Sequence, residues 1–375
     1  MKRFIRVLKQ IPDPRQKWKI RHSLAEILLI CILAVTANAN SSYEIYTFAI
    51  IHEQWLRRFI SLEKGIPSRL TFERVLRLLN PKHFNVAFMK IMRLFQKASK
   101  GAVVALDGKA YHNTHEGHGG AGVLYMVNAW CSHNGMTLGY VDTQEKSSEI
   151  TAIPDLLKFL DIKGAIVTID AIGCQHKIVK QIVLENKADY AIALKMNQPT
   201  MFEEFSLYAQ YCLTQPDSAH LYEYHRAVEK GHGRIEEREY FLFPDLTWFS
   251  DLAKWKNLHA LLMVKSTRQI IGKEPTTETR YYITSLASVE DAAFAVRTHW
   301  GVENNLHWVL DVAFKEDDWK TKDATSATNL AAIRRFTYNI LKAHPDKSST
   351  PIKRYMCSLN LDFLESVVFN PCLFN

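Results

Sequence analysis

The chain reads as an α/β protein. It has a mixed-sheet core covered by helices on both faces, interrupted by a β-rich insertion and preceded by a small all-helical domain. Three observations predict this. Residues 1–95 carry helix-type patterns and turns. From residue 101, short apolar runs at 102–106, 165–169 and 189–194 alternate with helical stretches, as in a sheet with helices packed on it. Between 200 and 285, four β-type stretches separated by charged turns break that alternation.

Composition sets the outer bounds. The chain has 375 residues, 47% hydrophobic and 23% charged, ordinary for a soluble globular protein of two or three domains. The net charge of +8 suits an anionic partner such as nucleic acid, and suits a merely basic protein almost as well. Cysteines 31, 131, 174, 212, 357 and 372 are scattered without a C-x-x-C pair, so they read as reduced thiols and the protein as cytoplasmic. The most apolar run, 24–37, contains Glu26 and is shorter than the ~20 residues a bilayer requires, and no signal-peptide pattern surrounds it. No membrane partner is expected.

In order, Pro12-Asp13-Pro14-Arg15 is a turn and 22–38 a buried helix. The stretch 41–60 is a serine-capped amphipathic helix, and 71–79 is another, stopped by Asn80-Pro81. This first domain is either a plain helical bundle or a DNA-binding module in which Arg69, Arg74 and Arg77 touch phosphate. The apolar run 102–106 is a strand ending in Asp107. A polar loop with His112, His115 and His118 follows, then two strands at 123–130 and 136–143 joined by His133-Asn134-Gly135. Helix 149–161, strand 165–169 ending in Asp170, helix 174–186 and strand 189–194 complete the first part of the core. Strands at 222–228, 236–243, 258–266 and 279–285 form the insertion. One long helix over 288–314, capped by Ser288 with Glu290 and Asp291 in its first turn, returns to the core. A last helix spans 324–343, and the tail after 345 is less regular. The divisions are therefore 1–98, 99–199, 200–286, 287–345 and 346–375.

The long helix carries an anomaly. On a 3.6-residue wheel its stripe runs Val296, Trp300, Glu303, His307, Leu310, Phe314, and an acid stands where an apolar residue belongs. A core-facing carboxylate is costly unless it is paired or binds a metal. If strands 102–106 and 165–169 are parallel neighbours, Asp107 and Asp170 emerge side by side and Glu303 can join them. Carboxylates brought together repel unless cations lie between them, and all-oxygen ligands select Mg²⁺ or Mn²⁺. Plainer readings stay open: aspartate starts turns well, and Glu303 could pair with His299, Arg297 or His307.

These residues, in this order and context, carry a resemblance. Ala105-Leu106-Asp107-Gly108-Lys109, Lys146-Ser147-Ser148-Glu149-Ile150, Thr168 through Gln175, Leu194 through Gln198, Gly231 through Glu236 with Arg238, and Arg297 through Asn304 with Leu306-His307-Trp308 match runs of the bacterial insertion-sequence DDE transposases. Within them the chain resembles the ISAS-type, H-repeat-associated branch found beside Rhs elements. Asp13-Pro14-Arg15 and Gly65-Ile66-Pro67-Ser68 resemble that family's associated N-terminal domain.

The resemblance implies an RNase H-like core. It implies Asp107, Asp170 and Glu303 as catalytic residues and metal ligands, with two Mg²⁺ or Mn²⁺ ions per site and no small-molecule cofactor. It implies cleavage of double-stranded DNA at terminal inverted repeats and transfer to target DNA, by a homodimer in the synaptic complex, at the bacterial nucleoid. A nuclease without strand transfer and an inactive DNA binder are the alternatives. Two departures stand out: His112 where the family often has arginine, and Leu310 where a broader group has lysine.

Other residues are candidates for DNA contact. Lys109 could hold a phosphate oxygen or offset the carboxylates. Lys195, Asn197 and Gln198 end a core strand near the expected scissile strand. His232 and Arg234, in a two-glycine turn, suit close approach of a sugar-phosphate backbone or a plain hairpin. Arg238, Arg297 and His307 complete the set. Trp300 and Trp308 read as packing residues. Asp311, about 80° round the wheel from Glu303, is the reserve third ligand.

Overall fold

The computed structural model describes residues 2–95, 100–111, 124–143, 149–215, 220–231, 233–318 and 323–369. The histidine loop and His232 lie outside these residues, as does Cys372; the other five cysteines are buried free thiols.

The N-terminal helices are α1 (Lys2–Leu8), α2 (Leu24–Thr36), α3 (Ser42–Ile51), α4 (Glu53–Leu56), α5 (Arg69–Leu78) and α6 (Pro81–Phe95). A capping box fixes the start of α2: Ser23 accepts from the Glu26 amide and Glu26 accepts from the Ser23 amide. Twelve of its thirteen residues, all but Glu26, are then buried. The expected helix over 41–60 is broken near His52, and Pro81 opens a helix as well as closing the preceding one, because a proline at the first helical position loses no hydrogen bond.

The core elements are β1 (Val103–Tyr111), β2 (Leu124–Cys131), β3 (Met136–Thr143), α7 (Glu149–Phe159), β4 (Ile166–Ile169), α8 (His176–Leu184), β5 (Asp189–Leu194) and α9 (Pro199–Thr214). The insertion strands are β6 (Glu223–Gly231), β7 (Arg234–Phe243), β8 (Ala260–Ile270) and β9 (Thr276–Thr284). They do not form a separate sheet. β9 pairs antiparallel with β5, so all nine strands make one sheet in the order β3-β2-β1-β4-β5-β9-β8-β7-β6. The stretch opening the insertion is helix α9. It buries a helical stripe of Met201, Phe205, Ala209 and Cys212.

The long helix expected over 288–314 is three segments. Helix α10 (Val289–His299) ends at Trp300, a π-helical turn spans Glu303–His307, and α11 (Trp308–Phe314) follows. Helix α12 (Ala324–Ala343) is buried along almost its whole length. The tail is regular after all: α13 (Thr350–Leu359) and α14 (Leu361–Val368) pack beside α12 and α2.

Helix α12 ties the parts together. Its Asn329 side chain donates to the carbonyls of Leu76 (2.9 Å) and Leu79 (2.8 Å) at the end of α5. Arg335, fully buried, donates to Asn128 Oδ1 on β2 (2.5 Å) and to Glu316 Oε1 (3.0 Å). Arg334 is buried as well, so these two basic residues serve the core and not a surface. No helix among the described residues is long and apolar enough to cross a membrane.

Candidate active site

Asp107 lies inside β1, not at its end, since β1 continues to Tyr111. The parallel pairing of β1 with β4 nevertheless stops at Leu106↔Ile169. From Asp107 onward β1 has no neighbour on that side, and a cleft opens at the carboxyl end of β4, where sheets of this kind place their ligands. Asp170 is the residue after β4. It caps a 3-10 turn, Ala171–Gly173, by accepting from the Ile172 amide at 3.0 Å. Asn197 and Gln198 hold the same turn from β5, donating to the Ala171 carbonyl (2.6 Å) and the Cys174 carbonyl (2.9 Å). They position Asp170, while neighbouring Lys195 is exposed.

Glu303 arrives through the π-helical turn. The Trp308 amide donates to the Glu303 carbonyl, the i+5 bond of that winding. Widening a helix displaces carbonyls from their usual donors, and side chains take them up. Asn305 Nδ2 donates to Gly301 O (3.0 Å), Asn304 Nδ2 to Trp300 O (3.2 Å), and the Tyr338 hydroxyl lies 2.8 Å from Asn305 O. Gly301 allows the close approach: a Cβ there would stand 2.8 Å from the Trp130 ring on β2. The irregular winding also turns the wheel. The buried residues are Val296, Val302, Leu306, Val309, Leu310 and Phe314, and Glu303 is exposed beside them instead of among them. The straight 3.6-residue wheel therefore located the acid on the wrong side of the stripe.

None of the three pairings open to Glu303 forms. His299 Nδ1 is 2.9 Å from Thr168 Oγ1, Arg297 pairs with Glu229 at 2.8 Å, and His307 Nδ1 is 3.5 Å from Asp107 Oδ2. Asp107 feels the crowding. Burial, then Glu303, Asp170 and Glu149, push its carboxyl up to about 7. Burial pushes His299 down to about 4, and burial with Arg335 and Lys109 nearby pushes His307 down to about 3, so both rings are neutral at pH 7. His307 Nε2 is buried without a hydrogen-bond partner among the described residues.

The carboxylates converge on one cleft without closing round one point. Among the described residues no three His, Cys, Asp or Glu side chains are near enough to share an ion as they stand. Asp170 and Glu303 are exposed and have rotamer freedom to move inward. The all-oxygen donor set and the like-charge crowding fit a hard divalent cation.

The remaining candidates fall elsewhere. Lys109 is buried and pairs with Asp311, with Asp317 at 3.7 Å and Glu316 at 4.0 Å. That occupies Asp311, the reserve ligand. Arg234 pairs with Glu236 at 2.7 Å, and Arg238 pairs with Glu236 and, at 3.2 Å, with Glu229. With Arg297 they line a 540 Å³ groove between the insertion strands and α10 that ends at Glu303. Trp300, under the Arg280 guanidinium at 4.7 Å, is half-buried there. Trp308 is 56% exposed and is not a packing residue. Glu149 is buried against Gly108 of β1, an approach that no sequence pattern announces.

Comparison with known proteins identifies the family. The family described as Transposase DDE domain matches residues 98–340, and the one described as DDE_Tnp_1-associated matches residues 5–92. The chain is similar to "H repeat-associated putative transposase YhhI" of Escherichia coli (strain K12), 36% identical over 346 residues covering 91% of this chain and 90% of the relative. It is similar to "Putative transposase YncI" of Escherichia coli O157:H7, 34% identical over 371 residues covering 96% and 92%. "Inactive transposase YbfQ" of strain K12 is 36% identical over 75 residues, 20% of this chain and 89% of the relative.

Proposed function

Because the chain belongs to the DDE transposases, we propose that it cuts DNA at the ends of an insertion sequence and joins the freed end to target DNA, with Asp107, Asp170 and Glu303 as the metal-binding catalytic residues. What supports this reading is that Glu303 and Asp170 lie near enough to Asp107 to push its carboxyl up, beside the point where the β1–β4 pairing ends.

Mg²⁺ or Mn²⁺ held by these carboxylates would supply the charge that activates the attacking oxygen and stabilises the leaving one in an in-line phosphoryl displacement. The chain's own part is orientation. Asn197 and Gln198 fix the turn that presents Asp170. Asn304, Asn305 and Tyr338 stabilise the winding that presents Glu303. His307, neutral and 3.5 Å from Asp107, sets no positive charge beside that carboxyl to compete with a cation.

DNA contact is assigned chiefly to the N-terminal domain. A 1290 Å³ groove there is lined by Arg15, Lys19, Arg21, His22, Lys64 and Arg74 with no acid among its lining residues. Lys19, Arg21, Lys64 and Arg74 are exposed and make no ion pair among the described residues. Such cations suit phosphate, and Trp18 beside them is 79% exposed.

The test is Mg²⁺-dependent cleavage of DNA carrying the element's terminal repeats, with Asp170→Asn and Glu303→Gln as controls. Both variants should lose activity by about a thousandfold or more, the scale of losing a metal-holding group. Cleavage undiminished in both would sink the assignment. Joined products with target DNA separate strand transfer from simple hydrolysis.

A further inference from the structure

One ion pair joins the strand that carries Asp107 to the helical segment that carries Glu303. Side chains two apart on a strand share a face, so Asp107 and Lys109 point to the same side of β1. Both meet the segment that follows Glu303. His307 Nδ1 lies 3.5 Å from Asp107 Oδ2, and Asp311, one turn further on, accepts from the Lys109 ammonium. Lys109 is only 7% exposed, so its charge is withdrawn from water and depends on its partners.

The chain folds back to surround that charge. Lys315 ends α11 in the left-handed conformation, and the Glu316 amide donates to the Leu310 carbonyl at 3.1 Å. This return brings Asp317 to 3.7 Å and Glu316 to 4.0 Å from Lys109. Glu316 in turn lies 3.0 Å from Arg335 and 4.0 Å from Arg334 on α12. Three cations and three acids are matched there.

The winding before Asp311 calls for such an anchor. A π-helical turn carries one residue more than an α turn. Relaxed to α winding, it would swing the residues after it by about 100° relative to those before. Helix α10 is held on its side: Ser288 caps its start, and Arg297 donates twice to Glu229 at 2.8 Å. Beyond the turn, Lys109 and Asp311 hold α11 to β1. A desolvated ion pair adds little net stability, and its best-attested use is to fix one register.

We propose that Lys109 and Asp311 are a positioning pair that locks the π-helical turn and so sets where Glu303 stands relative to Asp107. This rests on the reading of those two acids as catalytic. Lys109 then acts through Asp311 and does not touch DNA.

The test is a double-mutant cycle on the full-length protein: Lys109→Met, Asp311→Leu and the two combined, followed by cleavage kinetics and hydrogen exchange. The combined variant removes one charge of each sign and leaves Arg334, Arg335, Glu316 and Asp317 matched, so it should keep close to the wild-type melting temperature. Its kcat should fall by about tenfold to a hundredfold at a KM within about twofold, as misplacement of a reacting group does. Amides 304–311 should exchange several-fold faster, while those of α10 and α12 should not change. Each single variant should lose kcat to a similar degree, because all three break the same pair. Asp311→Asn should show the same losses, and answers the question if the combined variant does not fold. Wild-type kcat or unchanged exchange of 304–311 in the combined variant overturns the proposal. So does a raised KM confined to variants of Lys109, which would give that lysine to phosphate. Asp170→Asn is the control for the reading beneath: if it cleaves at the wild-type rate, the catalytic assignment falls, and the exchange of 304–311 alone judges the pair.

Discussion

Two grooves of this molecule are rich in basic side chains, and they differ in one respect. In the groove between the insertion strands and α10, Arg234, Arg238, Arg268, Arg280 and Arg297 each have a glutamate within 4.0 Å. Hydrogen bonds from Arg297 hold Glu229 down to about 2. In the N-terminal groove only Arg15 is so engaged, by Asp13 at 2.6 Å, and four cations stand unpaired among the described residues. A guanidinium already neutralised has less to give a phosphate than one facing water. The first groove is electrically closed and the second open. The β1–β4 cleft is open too, with the opposite sign.

Charge reversal should separate the two grooves most clearly. Lys64→Glu with Arg74→Glu should lower DNA affinity by about a hundredfold at moderate salt and flatten the dependence of log K on log salt by roughly two, since each phosphate contact contributes about 0.9 to that slope. Fluorescence anisotropy over a salt series measures both. An unchanged slope would remove the N-terminal groove from the DNA path. Arg238→Met in the closed groove should do the reverse. It leaves Glu236 and Glu229 without one of their partners and should lower stability by about 1 kcal/mol, while DNA affinity stays within about twofold. A larger loss of affinity than of stability would show that the insertion reads DNA after all.

The cleft answers to pH. The carboxyl of Asp107 sits at about 7 in the folded protein against 3.8 in an unfolded chain. The folded state therefore holds a proton that the unfolded state releases between those values, and charging Asp107 costs stability as pH rises from about 4 to about 7. Buried neutral His299 and His307 act oppositely, losing stability as pH falls below 6.5. The wild-type curve mixes these effects, so the difference from Asp107→Asn is the measurement. Its advantage in thermal stability should grow from pH 4 to pH 7 and shrink when Mg²⁺ is added. A difference independent of pH would place the acid in ordinary solvent. The smallest effect is expected at Trp18, where alanine should weaken DNA binding by a few-fold and leave the salt slope unchanged.

Much of the core was legible because its elements obey simple periods. The apolar runs over 166–169 and 189–194 and helix 324–343 announce themselves, and Asp170 stands just past a strand end as a turn former does, whereas Asp107 lies inside β1. Helix α9 was hidden because Phe202, Phe205, Tyr208 and Tyr211, residue types that favour strands, stand among its helix formers. The straight helix over 288–314 was an artefact of extending one period through a place where the winding changes. Whether Lys109 faces phosphate or carboxylate depends on where the residues after α11 return, and that is a matter of tertiary packing.

The sequence by itself determined the order of the core strands and the family, because these rest on local pattern and on motifs of neighbouring residues. Only the tertiary structure decided which charges are already matched. Arg297 and Glu229 stand 68 residues apart, Lys109 and Asp311 202 apart, and the approach of Glu149 to Gly108 is set by α7 crossing the sheet. Electrostatic partnership is a property of distance in space, and chain order does not contain it.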